Sequence, residues 1–318
     1  MIGLSDGHVP DLLAAFGLGS SGTLSDGPVA SGRLGSIWRL DTDAGSWAVK
    51  QVRGASRAEL AEILDGAAFQ EAALAAGVPT PAIRRARDGA VIADLGDGVR
   101  ARVHAWVDLA APDVGLDPVG LGRLVAALHR VEFTGTIGTD PWYAAPVGRG
   151  RWATIVAELR ERHAPFADEL DGIVADLVAL EAFLGGPPRS LRTCHRDLWA
   201  DNLRRTPLGG LFVVDFDNAG LADPSQELAQ VLVEYTTADP RRAPVIRAAY
   251  ADAGGPGRVE RPQDFAMPIA QLAHIVEEGC RRWLASATDA ERADNEGWVR
   301  EFLDRPLTRA VIEELLAA

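Results

Sequence analysis

The sequence predicts an α+β protein in two parts, a small β-rich first lobe and a larger helical second lobe. Three observations carry this. Up to Asp108, short apolar runs alternate with turn residues and only one long helical stretch intervenes. Beyond Asp108, apolar residues recur at helical spacing in one segment after another. Within that helical part a single β-like island, 191–217, breaks the pattern. A chain of 318 residues is also too long for one simple core. The boundary falls near 108–112, which gives domains of 1–108 and 109–318.

In the first lobe, Val9 to Phe16 reads as a short leading helix. Ile37 to Leu40 is an apolar strand, DTDAGS (41–46) is rich in turn residues, and WAVKQV (47–52) is a second strand, so the three form a hairpin. Ala58 to Ala76 has helical spacing, with Leu60, Ile63, Leu64 and Leu74 as its apolar members, and GVPTP (77–81) ends it. Ala90 to Leu95 and Val99 to Val107 read as further strands. In the second of these, Val99, Ala101, Val103 and Ala105 alternate with Arg100, Arg102 and His104, the period of a half-buried strand.

The second lobe opens with the loop-like APDVGLDP (111–118). Leu121, Leu124, Val125 and Leu128 then fall at i, i+3, i+4 and i+7, an amphipathic helix. Further helices are expected at 151–163, 166–184, 225–238, 241–252, 264–286, 288–303 and 307–317.

The formal net charge is -13, which repels phosphate backbones and argues against a nucleic-acid partner. Such a surface mildly attracts a cationic substrate; simple solubility explains it equally well. The two cysteines, Cys194 and Cys280, form neither a metal-ligand pattern nor a disulfide framework, as suits a reducing compartment. The first twenty residues lack a signal-peptide pattern, and no apolar run approaches the roughly 18 residues of a membrane span. A cytoplasmic protein without a membrane partner is therefore expected. Nothing in the sequence bears on the oligomeric state.

The chemistry concentrates in the β-like island. It holds CHRDLWADNL (194–203) and then LFVVDFD (211–217), in which an apolar strand delivers Asp215 at its end. Phosphoryl transfer from ATP needs a group that orients the attacking hydroxyl and oxygen ligands for Mg²⁺. Asp197 answers the first need; Asn202 and Asp215 answer the second. The ordered H-R-D-x4-N and D-F-D pattern matches the catalytic-loop and metal-loop signature of kinases. The alternative is a structural loop with a solvated acidic strand end.

On His195, Asp197, Asn202, Asp215 and Asp217, the chain resembles the aminoglycoside phosphotransferase and choline kinase-like family. ADPSQELA (222–229) is similar to that family's D-P-x-x-[DE]-L-A segment. The likeness runs from about Gly22 to Trp283. One departure is Arg196, where many antibiotic kinases of the family carry Gly. The resemblance implies a bilobed protein-kinase-like fold, with ATP and Mg²⁺ as cofactors. In such a fold Lys50, in WAVK, would bridge the α- and β-phosphates, with a carboxylate partner on the following helix. Glu71 and Glu62 both qualify, and Gly66 stands where family members often have Glu. Gly32 and Gly35 would let the backbone approach phosphates. His104 to Val107 would form the hinge that binds the adenine edge, with Trp106 more suited to packing. His195 and His129 read as structural residues, and Trp199 as either an acceptor contact or packing. Asp201, Glu234, Glu277 and Glu278 lie in segments the family uses for the acceptor; a solvated helix face is the other reading of them.

The expected function is an ATP- and Mg²⁺-dependent O-phosphotransferase acting on a small-molecule hydroxyl. An aminoglycoside or related amino sugar is the favoured acceptor. A metabolic kinase of the same fold, acting on choline, an amino acid, a simple sugar or a macrolide, is the first alternative. A nucleotide-binding pseudokinase is the second; the presence together of Asp197, Asn202 and Asp215 speaks against it.

Overall fold

A computed structural model describes residues 3–32, 35–52 and 56–318. In chain order the elements begin with helix α1 (Val9–Phe16), strands β1 (Gly22–Leu24), β2 (Ala30–Gly32), β3 (Gly35–Thr42) and β4 (Gly45–Val52), and helix α2 (Arg57–Ala75). Then come β5 (Ile83–Arg84), β6 (Ala93–Asp94), β7 (Arg100–Ala105), and helices α3 (Pro118–His129), α4 (Arg149–Glu161) and α5 (Ala167–Leu180). Four short strands follow, β8 (Arg192–Cys194), β9 (Leu203–Arg205), β10 (Leu211–Val213) and β11 (Gly220–Ala222). The chain ends with α6 (Pro224–Thr236), α7 (Ala243–Asp252), α8 (Ala266–Ala285), α9 (Asp289–Leu303) and α10 (Arg309–Ala317).

Two compact units result. The first runs to Asp113 and also takes up Val131–Ile137 and Ala200–Gly220; the second holds Val114–Arg130, Gly138–Trp199 and Leu221–Ala318. The expected cut at 108–112 treated each lobe as one continuous stretch. The β9–β10 hairpin departs from that, because Val213 N–H donates to Pro79 O at 2.9 Å and Ala110 N–H to Arg205 O at 2.7 Å, stitching the hairpin to the first unit's backbone.

The first unit is built on an antiparallel sheet in the order β1-β3-β4-β7-β5, with β2 on β3 and β6 on β7. The β3–β4 hairpin turns at Asp43 and Ala44, and the Asp43 carboxylate accepts from the N–H of Ser20 at 2.9 Å. Of the expected strand at 90–95 only Ala93–Asp94 pairs, on β7. One sheet face is sealed by an apolar cluster that includes Leu12, Phe16, Trp38, Leu40, Val49 and Val103. The other face is covered as well, contrary to the half-buried strand expected for β7: Arg102 is buried.

Ser56 and Glu59 form a capping box that starts α2, and Gly77 (φ 86°) follows its end. The buried stripe of α2 is Ile63, Gly66, Ala67, Phe69, Gln70 and Ala73, while Leu64 and Leu74, expected to be inside, are exposed. Small residues are inside because a backbone presses on the helix there. A Cβ on Gly66 would lie 2.2 Å from Phe216 O. Phe69 continues the contact, with its ring 5.6 Å from that of Phe216 and 5.5 Å from that of Phe133.

The second unit is helical, and each expected helix is present within a few residues. The 166–184 segment ends earlier, at Leu180, and finishes in a 3₁₀ turn, Glu181–Phe183. One core joins α4, α5, α8 and α9 through residues such as Trp152, Phe166, Leu170, Val276, Trp283 and Phe302. Burial of so many large apolar side chains, at about 1.5–3 kcal/mol each, is what holds these amphipathic helices together.

Candidate active site

In the first unit, strand register creates a problem that the site solves. β4 pairs with β7 so that Lys50 lies opposite Arg102, two cations on one buried face. Like charges directly across a ladder repel. Asp217 sits between them: its carboxylate accepts from Lys50 Nζ at 2.7 Å and from the Arg102 guanidinium. Lys50 Nζ also donates to both oxygens of Asp215, at 2.7 and 2.9 Å. The cluster thus holds two cations and two carboxylates. Burial alone would raise the pKa of Asp217, but Arg102 and Lys50 outweigh it and hold that carboxyl well below the usual carboxylate range. Lys50 is the only lysine in the sequence; every other cation among the 32 Lys and Arg residues is arginine. That contrast marks the position more sharply than its strand context does.

Asn202 and Asp215 meet through the β9–β10 hairpin. Leu203 pairs with Val213, and Val214 N–H donates to Asn202 O at 2.9 Å, so Asn202 stands beside the strand end that carries Asp215. Asp215 is in the left-handed region (φ 59°), which Asp tolerates better than most residues, and its side chain stays 37% exposed. The turn that follows, Phe216–Asn218, buries Phe216 against α2 and Asp217 against the sheet.

In the second unit, β8 leads into His195, Arg196 and Asp197. Arg196 is also left-handed, at φ 63°. A non-glycine residue there costs roughly 1–2 kcal/mol; glycine would adopt the conformation without that cost. Contacts offset the cost here. The Arg196 guanidinium lies 4.4 Å from the Tyr143 ring centroid and donates to Gly138 O at 3.2 Å, and its backbone N–H donates to Glu227. Glu227, on α6, also accepts from the His195 N–H at 3.3 Å and from His129 Nε2 at 2.6 Å. Its carboxyl is held below the usual range, because these bonds and the nearby histidines outweigh the effect of burial. Asp197 itself is half-buried, with Gln271 Nε2 3.5 Å from its Oδ1.

Several expected residues sit elsewhere than their expected roles need. Glu71 does not reach Lys50; it forms a bidentate pair with Arg85 at 2.7 Å. The helix meets the D-F-D turn through Gly66, which has no side chain, so Asp217 supplies the lysine's second carboxylate. Glu277 pairs with Arg151 at 2.8 Å, and Glu278 pairs with Arg281 and Arg282 at 3.1 and 2.9 Å on its own helix. Neither offers an uncompensated charge to an acceptor. Glu234 is half-buried on α6 and Asp201 is exposed. Gly32 and Gly35 pair across the β2–β3 turn, whose two central residues lie outside the described set. Gly35 has a packing reason of its own, since a Cβ there would lie 1.9 Å from Gln51 O. His104 is kept neutral: burial first, then the charges of Arg102 and Lys50, push its pKa down to about 3. Trp106 packs under Arg39, 4.9 Å from the ring centroid, and bonds Asp108 at 2.8 Å. Sequence reasoning missed Arg102, read as part of an exposed face, and the anchoring role of Glu227.

A sequence model of the phosphotransferase enzyme family matches residues 27–263. The chain belongs to that family. Members of this phosphotransferase family are ATP-dependent small-molecule kinases, and this chain is one of them. Solved structures agree on the fold. A spectinomycin phosphotransferase bound to ADP and spectinomycin is 12% identical, with 99% of this chain and 98% of that chain covered and a TM-score of 0.73. A macrolide 2'-phosphotransferase from Brachybacterium faecium is 20% identical over 94% of this chain and 98% of that one, with a TM-score of 0.56. A microcompartment-associated aminopropanol kinase is 17% identical over 93% of each, with a TM-score of 0.56. No curated protein sequence matches the chain. Among the described residues, no helix is long and apolar enough to cross a membrane.

Proposed function

We propose that this phosphotransferase moves the γ-phosphoryl group of ATP to a hydroxyl of a small molecule, with Mg²⁺ as cofactor. The observation that carries the reading is the first-unit cluster: the one lysine of the sequence engages both acids of D-F-D, and the hairpin sets Asn202 beside Asp215. An amide oxygen and a partly exposed carboxylate form an all-oxygen donor set, which suits Mg²⁺. Bound there, the metal would neutralise charge on the β- and γ-phosphate oxygens. Lys50 can donate to phosphate oxygens while keeping Asp217 as its counter-charge. Asp197 orients the acceptor hydroxyl and takes up its proton. Catalysis of this kind rests on positioning and charge rather than on a covalent intermediate.

For the acceptor we propose an aminated sugar or related amino alcohol. The net charge of -13 supports a cationic partner, and the exposed Asp201, next to Asn202, is the candidate contact. The test is an ADP-release screen with Mg²⁺ over aminoglycosides, amino sugars, choline and macrolides. Turnover on a hydroxylated amine, lost in Asp197→Asn, is the expected result. Turnover only on neutral acceptors rejects the acceptor class. Nucleotide binding with no turnover on the whole panel favours the pseudokinase reading.

A further inference from the structure

We propose that Gln271 is a positioning residue for the Asp197 carboxylate, and that Gln230 behind it sets the direction of its amide. The link to turnover rests on the phosphotransferase reading; the contacts themselves do not.

Gln230 on α6 and Gln271 on α8 are buried amides of the second unit, 0% and 2% exposed. Burying an amide costs free energy unless it finds partners, and here the partners fix which way each amide points. Gln271 Nε2 lies 3.1 Å from Arg196 O, a backbone carbonyl that can only accept, so that end of the side chain is the NH₂. The other end is then Oε1, which can only accept, and it receives an N–H from Gln230 Nε2 at 3.1 Å. An NH₂ group carries two protons. With one on Arg196 O, the second is available to Asp197 Oδ1, 3.5 Å away. That spacing is at the long end for a hydrogen bond, but a donor dipole there still favours the ionised carboxylate over the acid.

Packing places this contact. Met267, one turn before Gln271 on the same face of α8, is buried in one cluster with Tyr143, Cys194 and Ala222. The helix therefore runs beside β8 and its continuation, with Gln271 level with Arg196 and Asp197. The contact differs in kind from that of Glu227, which holds backbone N–H groups; Gln271 meets the carboxylate assigned to the acceptor hydroxyl. One atom of the pair is left over. Gln230 Oε1 is fully buried, and among the described residues no donor meets it. An apolar side chain at that position would avoid this cost. As core filling the pair is therefore a poor choice, whereas it suits the aiming of one N–H at Asp197.

The test compares Gln271→Met and Gln230→Met with the wild type, all as the full chain. Met keeps the length of Gln and removes the amide. One readout is the titration of the Asp197 carboxyl, followed by NMR of ¹³C-labelled aspartate and assigned with Asp197→Asn. The other is steady-state kinetics across pH. Without the donor the ionised carboxylate is less favoured. In Gln271→Met the Asp197 titration and the acid limb of kcat should therefore both move to higher pH. At the pH optimum kcat should fall about tenfold while KM for ATP stays within about twofold. Gln230→Met leaves the Gln271–Asp197 contact in place but unsupported, and should shift both readouts in the same direction, with kcat down about threefold. An Asp197 titration that stays where it was in both variants, whatever their stability, would make the pair core packing and overturn the proposal. So would a moved titration with kcat and its pH profile unchanged. If Gln271→Met does not fold, Gln230→Met decides by the same criteria. If the wild type turns over no acceptor while the titration still moves in the variants, the Gln271 contact stands and the phosphotransferase reading falls.

Discussion

Each unit buries a carboxylate beside its candidate site residues, but the two do so in different ways. In the first unit Asp217 is balanced by full charges, Lys50 and Arg102, and the cluster reaches the partly exposed Asp215. In the second, Glu227 is held by backbone N–H groups and a histidine, in a fully buried setting. The first arrangement can exchange partners. If Asp215 turns to a metal, Lys50 still has Asp217, and Arg102 keeps that carboxylate ionised. The second is closed to solvent, and its carboxylate is committed to the backbone of the loop. Under the proposed function, a site that receives a polyanion and a metal would need the former, and a loop that aims one aspartate would need the latter.

The strongest way to break the first cluster alone is Lys50→Met. We expect kcat/KM for ATP to fall by about 100-fold or more, as for other losses of a charge-stabilising donor. An acyl-phosphate ATP probe, which acylates lysine, should label Lys50 in the wild type, and nucleotide should compete. Labelling that nucleotide does not suppress would remove Lys50 from the site. Stability should fall only modestly, because Asp217 keeps Arg102 and Asp215 can face water.

Gly66→Ala sharpens the claim that α2 acts on the D-F-D turn by contact and not by charge. The added Cβ meets Phe216 O, so we expect a loss of about 1–3 kcal/mol in urea unfolding. A gain of up to about 1 kcal/mol, the helix-propensity benefit of Ala over Gly, would show that the helix is not pressed on the turn.

His104 tests the charged character of the first cluster through pH. Its folded pKa is depressed to about 3 by burial and by Arg102 and Lys50. The unfolded chain therefore binds the proton first, near its ordinary pKa of about 6.5. This contribution to stability is complete above that value and declines as pH falls toward 3. His104→Gln should flatten the stability profile between about pH 7 and pH 5, where unfolded carboxylates hardly titrate. An unchanged slope would mean that His104 titrates alike in both states.

Glu71→Gln should do least. The Glu71–Arg85 pair is largely solvated, so less than about 0.5 kcal/mol is expected, with KM for ATP unchanged. A clear rise in that KM would restore Glu71 as a partner of Lys50.

Residues close in sequence were legible and residues joined only in space were not. Asp197, Asn202 and Asp215 stand within one short island, where their spacing alone suggests a loop and a metal-bearing strand end. The Lys50 hairpin is equally local. The alternation of β7 assigned Arg102 to the correct face, but not what covers that face, because Asp217 arrives from a hairpin far along the chain. On α2 the charges of Glu71 and Glu62 are visible in sequence, whereas a glycine that allows close approach, such as Gly66, looks like a gap. Glu227 lay inside a recognisable segment, yet its partner His129, and the Tyr250 that His129 meets, come from separate helices.

The central claim is Mg²⁺-dependent transfer of the γ-phosphoryl group, and it is tested most directly by following the γ-phosphate of labelled ATP. Wild type and Asp215→Ala should be compared with acceptor present and Mg²⁺ varied. We expect label to move to the acceptor in the wild type in proportion to bound Mg²⁺. In Asp215→Ala, transfer and the Mg²⁺ dependence of nucleotide binding should be lost together. Retention of wild-type transfer and Mg²⁺ dependence in that variant would contradict the account.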